Sequence, residues 1–322
     1  MKLPQLSFVL AICSAFVLCA AEPDTADLRM KFAPNDTLLY DWTINAVSDS
    51  TGKEKEKNFT LAADSTFTMT LVLKAMNIRA KDGTPVLIKV KDQTYHDKRS
   101  VENSKTDLFV AKGKMKYVEN DKVVIDSDND IGLDKFQAYQ QQLKNIENAE
   151  MRATLDAAGR QSDVQGEPSL VDAIKNGGAQ GIFPILAGRE VKLGESWEDS
   201  FAMAKIAEFH LARPAQVRSK MTFSKWEEKN GRRLALIDML TVWDSKDLKG
   251  ENDDGMLVEI TRVDGRGAGT CLFDPDSGRF VEGSITFNLR YRIDGEKDGQ
   301  KSGLDVNGKT RFSFKAQPQA PN

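Results

Sequence analysis

A period of two dominates this sequence and leaves little choice of fold. Phe67, Met69, Leu71, Leu73 and Ala75 alternate with Thr66, Thr68, Thr70, Val72 and Lys74. Val281, Gly283, Ile285, Phe287, Leu289, Tyr291 and Ile293 alternate with mostly polar neighbours. Successive side chains of a strand point to opposite faces, so each stretch has one buried and one wetter face, as in an antiparallel sheet. Further strands are read at 39–47, 86–90, 234–243, 257–263, 270–273 and 311–316. Between them lie 81–84, 229–232, Asp294-Gly295 and Asn307-Gly308, where Gly and Asn suit the positive φ of tight hairpins. Neighbouring strands should therefore pair antiparallel.

Two segments depart from this period. Phe136, Tyr139, Leu143, Ile146 and Ala149 recur at three- and four-residue spacing behind Asp134, a capping residue with Gln137 three positions on. This predicts an amphipathic helix over 134–150, lying on a sheet. Residues 169–175, ended by Asn176-Gly177-Gly178, form a shorter helical candidate, while 201–211 fits either period.

Residues 1–21 read as a cleavable secretory signal peptide. Lys2 precedes an apolar or small-residue run from Leu6 to Ala21, which stops at Glu22-Pro23. Cys19 and Ala21 occupy the two small-residue positions, so cleavage is expected after Ala21. The run is roughly 16 residues, short of the roughly 20 that span a bilayer as a helix, and no later segment is long and apolar enough. A lipid anchor at Cys13 or Cys19 would want a small residue before the cysteine, but Ile12 and Leu18 stand there. Soluble export to the periplasm or outside the cell is the reading preferred. The mature chain then keeps one thiol, Cys271, and no intramolecular disulfide.

A faint internal repeat suggests the organisation. The segment from Asn35 to Trp42 resembles that from Gly194 to Phe201, each a polar turn releasing an aromatic strand. The turn from Leu155 to Arg160 resembles that from Phe273 to Arg279. The first unit would be about 40 residues longer, with the helix at 134–150 as the place for the surplus. The expectation is two antiparallel β units, sandwiched or curved like a half-barrel: 22–165 with the helix, and 166–322. Whether they form one domain or two is open.

Lys31-Phe32-Ala33-Pro34-Asn35-Asp36, the turn at 155–160, Phe183-Pro184, the run from Val191 to Trp197 and the run from Gly267 to Asp274 together resemble a family of uncharacterised exported bacterial proteins, common in planctomycete-type envelopes. The family has Gly where this chain has Asn35. The resemblance implies an all-β fold and an envelope setting, and transfers no catalytic residue.

The chemistry-bearing residues are dispersed. The formal net charge is −3 with acidic and basic residues interleaved, so no basic stripe invites nucleic acid. His96 and His210, the only histidines, are far apart in sequence and show neither zinc spacing nor a nucleophile motif. Cys271, in a small-residue strand, reads as a buried packing residue. Asp126, Asp128, Asp130 and Asp134 place oxygens at calcium-loop spacing. However, Ile131 stands where that loop needs Gly, and Gln137 where it needs a closing Glu. Asn35 and Asn58 fit glycosylation sequons, which carry no meaning in a bacterial protein. Trp42, Trp197, Trp226 and Trp243 fall on or beside strands, as candidates for a ligand groove or as plugs of two β cores.

These features favour an exported, non-enzymatic binding or interaction protein of the cell envelope, without cofactor, with an apolar or protein ligand held between or within its sheets. Its alternatives are a carboxylate-based hydrolase, marked by two carboxylates roughly 5 to 10 Å apart across a cleft, and a structural envelope component, marked by a broad exposed apolar patch.

Overall fold

The structure, a computed structural model, describes residues 24–54, 57–77, 83–134, 137, 149–168, 171, 183–206, 209–252, 255–297 and 300–318. The strands, in chain order, begin with β1 (Thr25–Asp27), β2 (Thr37–Glu54), β3 (Lys57–Ala75), β4 (Thr84–Val101), β5 (Ser104–Ala111), β6 (Lys114–Glu119), β7 (Lys122–Asp126) and β8 (Glu150–Leu155). They continue with β9 (Gln161–Gly166), β10 (Glu190–Lys192), β11 (Ser196–Ile206), β12 (Phe209–Lys229), β13 (Arg232–Glu251), β14 (Leu257–Asp274), β15 (Arg279–Lys297) and β16 (Gln300–Ala316). The chain is mainly β, and the ladders are antiparallel.

Fourteen strands form one sheet in the order β11-β12-β13-β14-β15-β16-β2-β3-β4-β5-β6-β7, with β8 also on β4 and β9 on β8. β1 and β10 pair separately. The sheet runs unbroken between the two sequence units because β16 pairs with β2 from Ala316↔Tyr40 to Ser302↔Glu54. Several strands exceed their sequence-predicted lengths. The segments 257–263 and 270–273 are parts of β14 alone. Asp294-Gly295 and Asn307-Gly308 do not turn: they lie inside β15 and β16, and the hairpin falls between Lys297 and Gln300. Ladder bonding on both sides of those residues overrides their local turn preference. By contrast, Asn230 and Gly231, at φ of 52° and 70°, do make the β12–β13 hairpin. The ambiguous 201–211 divides between β11 and β12. Most of the expected helices at 134–150 and 169–175 lies outside the described residues; Asp134, Gln137 and Val171 are helical, while Glu150 already belongs to β8.

Directly paired residues share a face. One such row runs Met69, Trp42, Phe314, Gly283, Cys271 and Ile237, and the next Phe67, Ile44, Phe312, Ile285, Gly269 and Met239. The intervening residues on the other face include Asp41, Thr43, Asn45, Arg311 and Lys309. The apolar face is the concave one, because residues far apart in strand order meet in one core: Leu73 (β3), Ile88 (β4) and Met151 (β8) cluster with Phe223 (β12), Ile237 (β13) and Phe273 (β14).

Two crossing segments fill that end of the curve. Leu28 N–H donates to Arg189 O and Gly188 N–H to Leu28 O, while Met30 N–H reaches Ala157 O and Lys31 N–H reaches Gly278 O. Phe183 lies between Tyr40 and Phe280, at ring distances of 4.6 and 5.2 Å. Opposite margins of the sheet also approach here, where Arg160 Nη2 donates to Asp199 Oδ1 at 3.2 Å. A second core, with Val217, Trp243, Val263 and Ile293, closes the far end of the C-terminal half.

The strand order repeats. β2-β3-β4-β8-β9 and β11-β12-β13-β14-β15 are each consecutive in the sheet, with β5 to β7 extending the upper part of β4. Their opening turns match in detail. Asn35 and Gly194 both have positive φ, at 64° and 81°. Asp36 accepts from Ala33 N–H, and Glu195 accepts from Lys192 N–H. The later turns match too: Asp156 accepts from the backbone of Ala158 and Arg160, and Asp274 from that of Asp276 and Ser277. These two turns receive the neighbouring amides of Met30 and Lys31 described above.

Candidate functional site

The middle of the concave face differs from its ends. Tyr40, Phe223, Phe273 and Phe280 are at most 1% exposed at the filled end. Ile44 on β2, Phe67 on β3, Phe312 on β16 and Ile285 and Phe287 on β15 are only part-buried. These five share a face by register, so they form an apolar surface that neighbouring side chains do not fully cover. Strand chemistry builds it: β-branched and aromatic residues alternate with Thr, Asn, Arg and Lys, so one face is apolar and the other hydrated.

Beyond Ile44 and Phe67 the same face turns polar. Ala46, Ser48 and Ser50 follow on β2, beside Ser65 on β3 and Tyr95, Asp97 and Arg99 on β4. Arg99 Nε stands 2.7 Å from Asp97 Oδ2, and the Tyr95 hydroxyl is hydrogen-bonded within this pair. Burial, and next the Asp97 charge, pushes the Tyr95 hydroxyl above its ordinary range. The Asp97 side chain is 8% exposed and that of Arg99 56%.

The four tryptophans do not converge on one groove. Trp42 faces inward and stacks on Phe314 at 5.2 Å. Trp197 packs against the same large core and donates its indole N–H to Ile185 O. Trp226, at the end of β12, lies edge-on to Phe223 and beneath Arg233. Trp243 is buried in the second core, and its indole N–H, like that of Trp42 in the first, meets no acceptor among the described residues.

The aspartates of the calcium-like segment serve local structure. Asp126 accepts from Asp128 N–H and Asn129 Nδ2, and the Asn129 bond is the main reason its carboxyl sits below the ordinary value. Lys116 and Lys114 neutralise Asp126 and Asp128. Asp130 occupies a positive-φ turn position, and Asp134 follows Leu133 in the first helical residues. Among the described residues no group of three or more His, Cys, Asp or Glu is placed to hold a metal ion. His96 pairs with Asp107 at 2.8 Å on the polar face of β4, and His210 sits at the start of β12. Cys271 is 1% exposed, and burial raises its thiol far above the ordinary value, so it is unavailable as a nucleophile.

An open depression of about 400 Å³ lies against β2 to β6, with Asp49, Asp64, Asp107 and Asp121 among its lining. Lys98, Arg99 and Lys105 line it as well. Asp49, Asp64 and Asp121 are exposed, and Asp107 is engaged by His96 and Lys98. Interleaved charges of both signs describe a hydrated surface better than an acid–base pair across a cleft. The sequence missed the Tyr95–Asp97–Arg99 cluster; its signal was present as polar residues standing at inward positions of a strand.

No family model matches the chain, and no curated protein matches it. Among solved structures it is similar to a chain described as showing lipid–protein interactions in lipovitellin, at 12% identity and a TM-score of 0.42, covering 91% of this chain. The protein spans about a quarter of that chain's length, 26%. It is also similar to the translocator domain of the autotransporter NalP from Neisseria meningitidis, at 6% identity and a TM-score of 0.18, covering 86% of this chain and 88% of the other. A third likeness is to OccK7 (OpdD) of Pseudomonas aeruginosa, at 7% identity and a TM-score of 0.20, covering 88% of this chain and all of that one. At these scores none of the three likenesses bears on function.

Proposed function

We propose that this is an exported, non-enzymatic binding protein of the cell envelope that holds an apolar ligand against the inner face of its curved sheet. The supporting observation is the part-exposed apolar surface around Ile44, Phe67, Phe312 and Phe287, set between two filled cores. Exposed apolar area is unfavourable in water by about 25 cal/mol per Å², so a ligand that covers it gains that energy. Export follows from the signal peptide read at residues 1–21.

Native mass spectrometry on protein purified from its own host without detergent tests this. A stoichiometric apolar molecule is expected on the wild-type chain and should be lost in Ile44→Asp. Asn45→Asp, one residue along on the polar face, should retain it. A clean mass from the host, together with no uptake of diacylglycerol from vesicles, would overturn the reading.

A further inference from the structure

The nature of the ligand can be taken further, on the assumption that the inner face is the binding surface. From Ile44, where the filled core stops, to Ser48 the face extends four residues along β2, roughly 13 Å at the rise of a strand. Half the hydrocarbon thickness of a bilayer is about 15 Å. Across β15, β16, β2 and β3 it is three strand spacings wide, about 14 Å, which is broader than a single acyl chain and leaves room for two side by side.

The polar end carries a matching charge. Asp97 engages Arg99 through Nε, and Arg99 remains more than half exposed. A guanidinium offers five N–H donors in a planar fork, and the donors facing neither Asp97 nor the Tyr95 hydroxyl suit a tetrahedral oxyanion. On the same face Ala63 stands opposite Arg99 with Ser48 beyond it, and Ser65 stands opposite Asp97.

We propose that the inner face holds a diacyl phospholipid, its tails over Ile44, Phe67, Phe312 and Phe287 and its phosphate against Arg99. A free fatty acid would satisfy Arg99 but leave much of the width uncovered. Asp97 plays two opposed parts, fixing the guanidinium while partly cancelling its charge.

The test uses the full chain with three probes: phosphatidylethanolamine vesicles, dioleoylglycerol in a carrier and oleate, each followed by native mass spectrometry. One phospholipid per chain is expected. Arg99→Gln should weaken phospholipid uptake by on the order of tenfold, the usual scale for a hydrogen bond to a charged group, and leave dioleoylglycerol uptake unchanged. Asp97→Asn should strengthen phospholipid uptake. If Arg99→Gln leaves Asp97 buried and unpaired and the protein melts, the double variant Asp97→Asn/Arg99→Gln removes both charges and should show the same selective loss. Phospholipid uptake indifferent to these variants, or a preference for oleate, would overturn the inference while leaving an apolar site. Uptake of dioleoylglycerol without phospholipid would do the same, and uptake of none of the three would overturn the underlying reading as well.

Discussion

Replacing Gly269 with alanine tests how the sheet achieves its curvature. Gly265, Gly267 and Gly269 occupy three successive inward positions of β14, opposite Leu289, Phe287 and Ile285 of β15. A Cβ at Gly269 would collide with the Ser284 carbonyl oxygen and stand 2.5 Å from Ile285 Cα. Both are backbone atoms of the paired strand, so neither yields by rotating a side chain. At Gly267 the nearest atom is Phe287 Cδ2 at 2.6 Å, and at Gly265 it is Phe287 Cζ at 2.8 Å; a ring can swing away. Overpacking costs about 1–3 kcal/mol and a disturbed ladder bond about 1 more. The alanine recovers about 0.4–1 kcal/mol through the unfolded chain. The net for Gly269→Ala is a loss of roughly 2–3 kcal/mol, against about 1 for Gly267→Ala, whose Phe287 would be pushed into the open part of the inner face. In urea, with a slope of about 2–3 kcal/mol per molar, the Gly269→Ala midpoint should fall by roughly 1 M. A midpoint equal to wild type, or the reverse ranking of the two variants, would refute the idea that β14 and β15 approach through glycine.

Other consequences are open to simpler measurement. Tyr40 donates to Phe280 O at 3.2 Å within the core, so Tyr40→Phe should cost about 1 kcal/mol in a denaturant melt through loss of a buried hydrogen bond. Asp126 and Glu195 have carboxyls held below their ordinary values, Asp126 chiefly by Asn129 and Glu195 chiefly by Lys192 N–H and Arg189. The unfolded chain therefore binds more protons than the folded one in acid, and the stability they confer is present above their unfolded values and lost as pH falls through the folded ones. The melting temperature should drop as pH is lowered below about 4, and Asp126→Asn with Glu195→Gln should flatten that drop. Cys271 should resist thiol reagents in the native protein and react only as fast as the chain unfolds; rapid selective labelling would contradict its burial.

The alternation that marked β3 and β15 in the sequence was enough for fold class, because a period of two buried on one face admits an antiparallel sheet and little else. Strand length was less legible: Asn307-Gly308 and Asp294-Gly295 have the local chemistry of turns, and only their partners on both sides keep them extended. The likeness of 35–42 to 194–201 was visible, but the shared hydrogen bonds of Asp36 and Glu195 were not, since they depend on the chain doubling back three residues. Of the candidate residues, Cys271 was legible as core from its neighbours. The tryptophans were not separable by sequence because all four stand near apolar strands, whereas their destinations depend on which end of the sheet is filled. The Tyr95–Asp97–Arg99 cluster was obscured by the irregularity between Thr68 and Thr70, which shifts the register of β4 against β3.

The direction in which the sheet faces also decides how such a protein can meet lipid. A transmembrane barrel turns its apolar residues outward, and a Lys or Arg on that face costs about 2–4 kcal/mol at the bilayer midplane. Here Asp41 on β2, Lys309 and Arg311 on β16 and Arg290 on β15 are exposed on the outer face, at outward positions of three neighbouring strands. That belt would have to cross the hydrocarbon if the sheet spanned a membrane, and the apolar residues that would favour crossing point the other way. The chain should therefore remain outside phosphatidylethanolamine vesicles, removable by carbonate and open to protease, even under conditions where it extracts lipid from them. Stable insertion with a protease-resistant β core would show that the outer face can be buried in lipid and would reverse the assignment of the two faces.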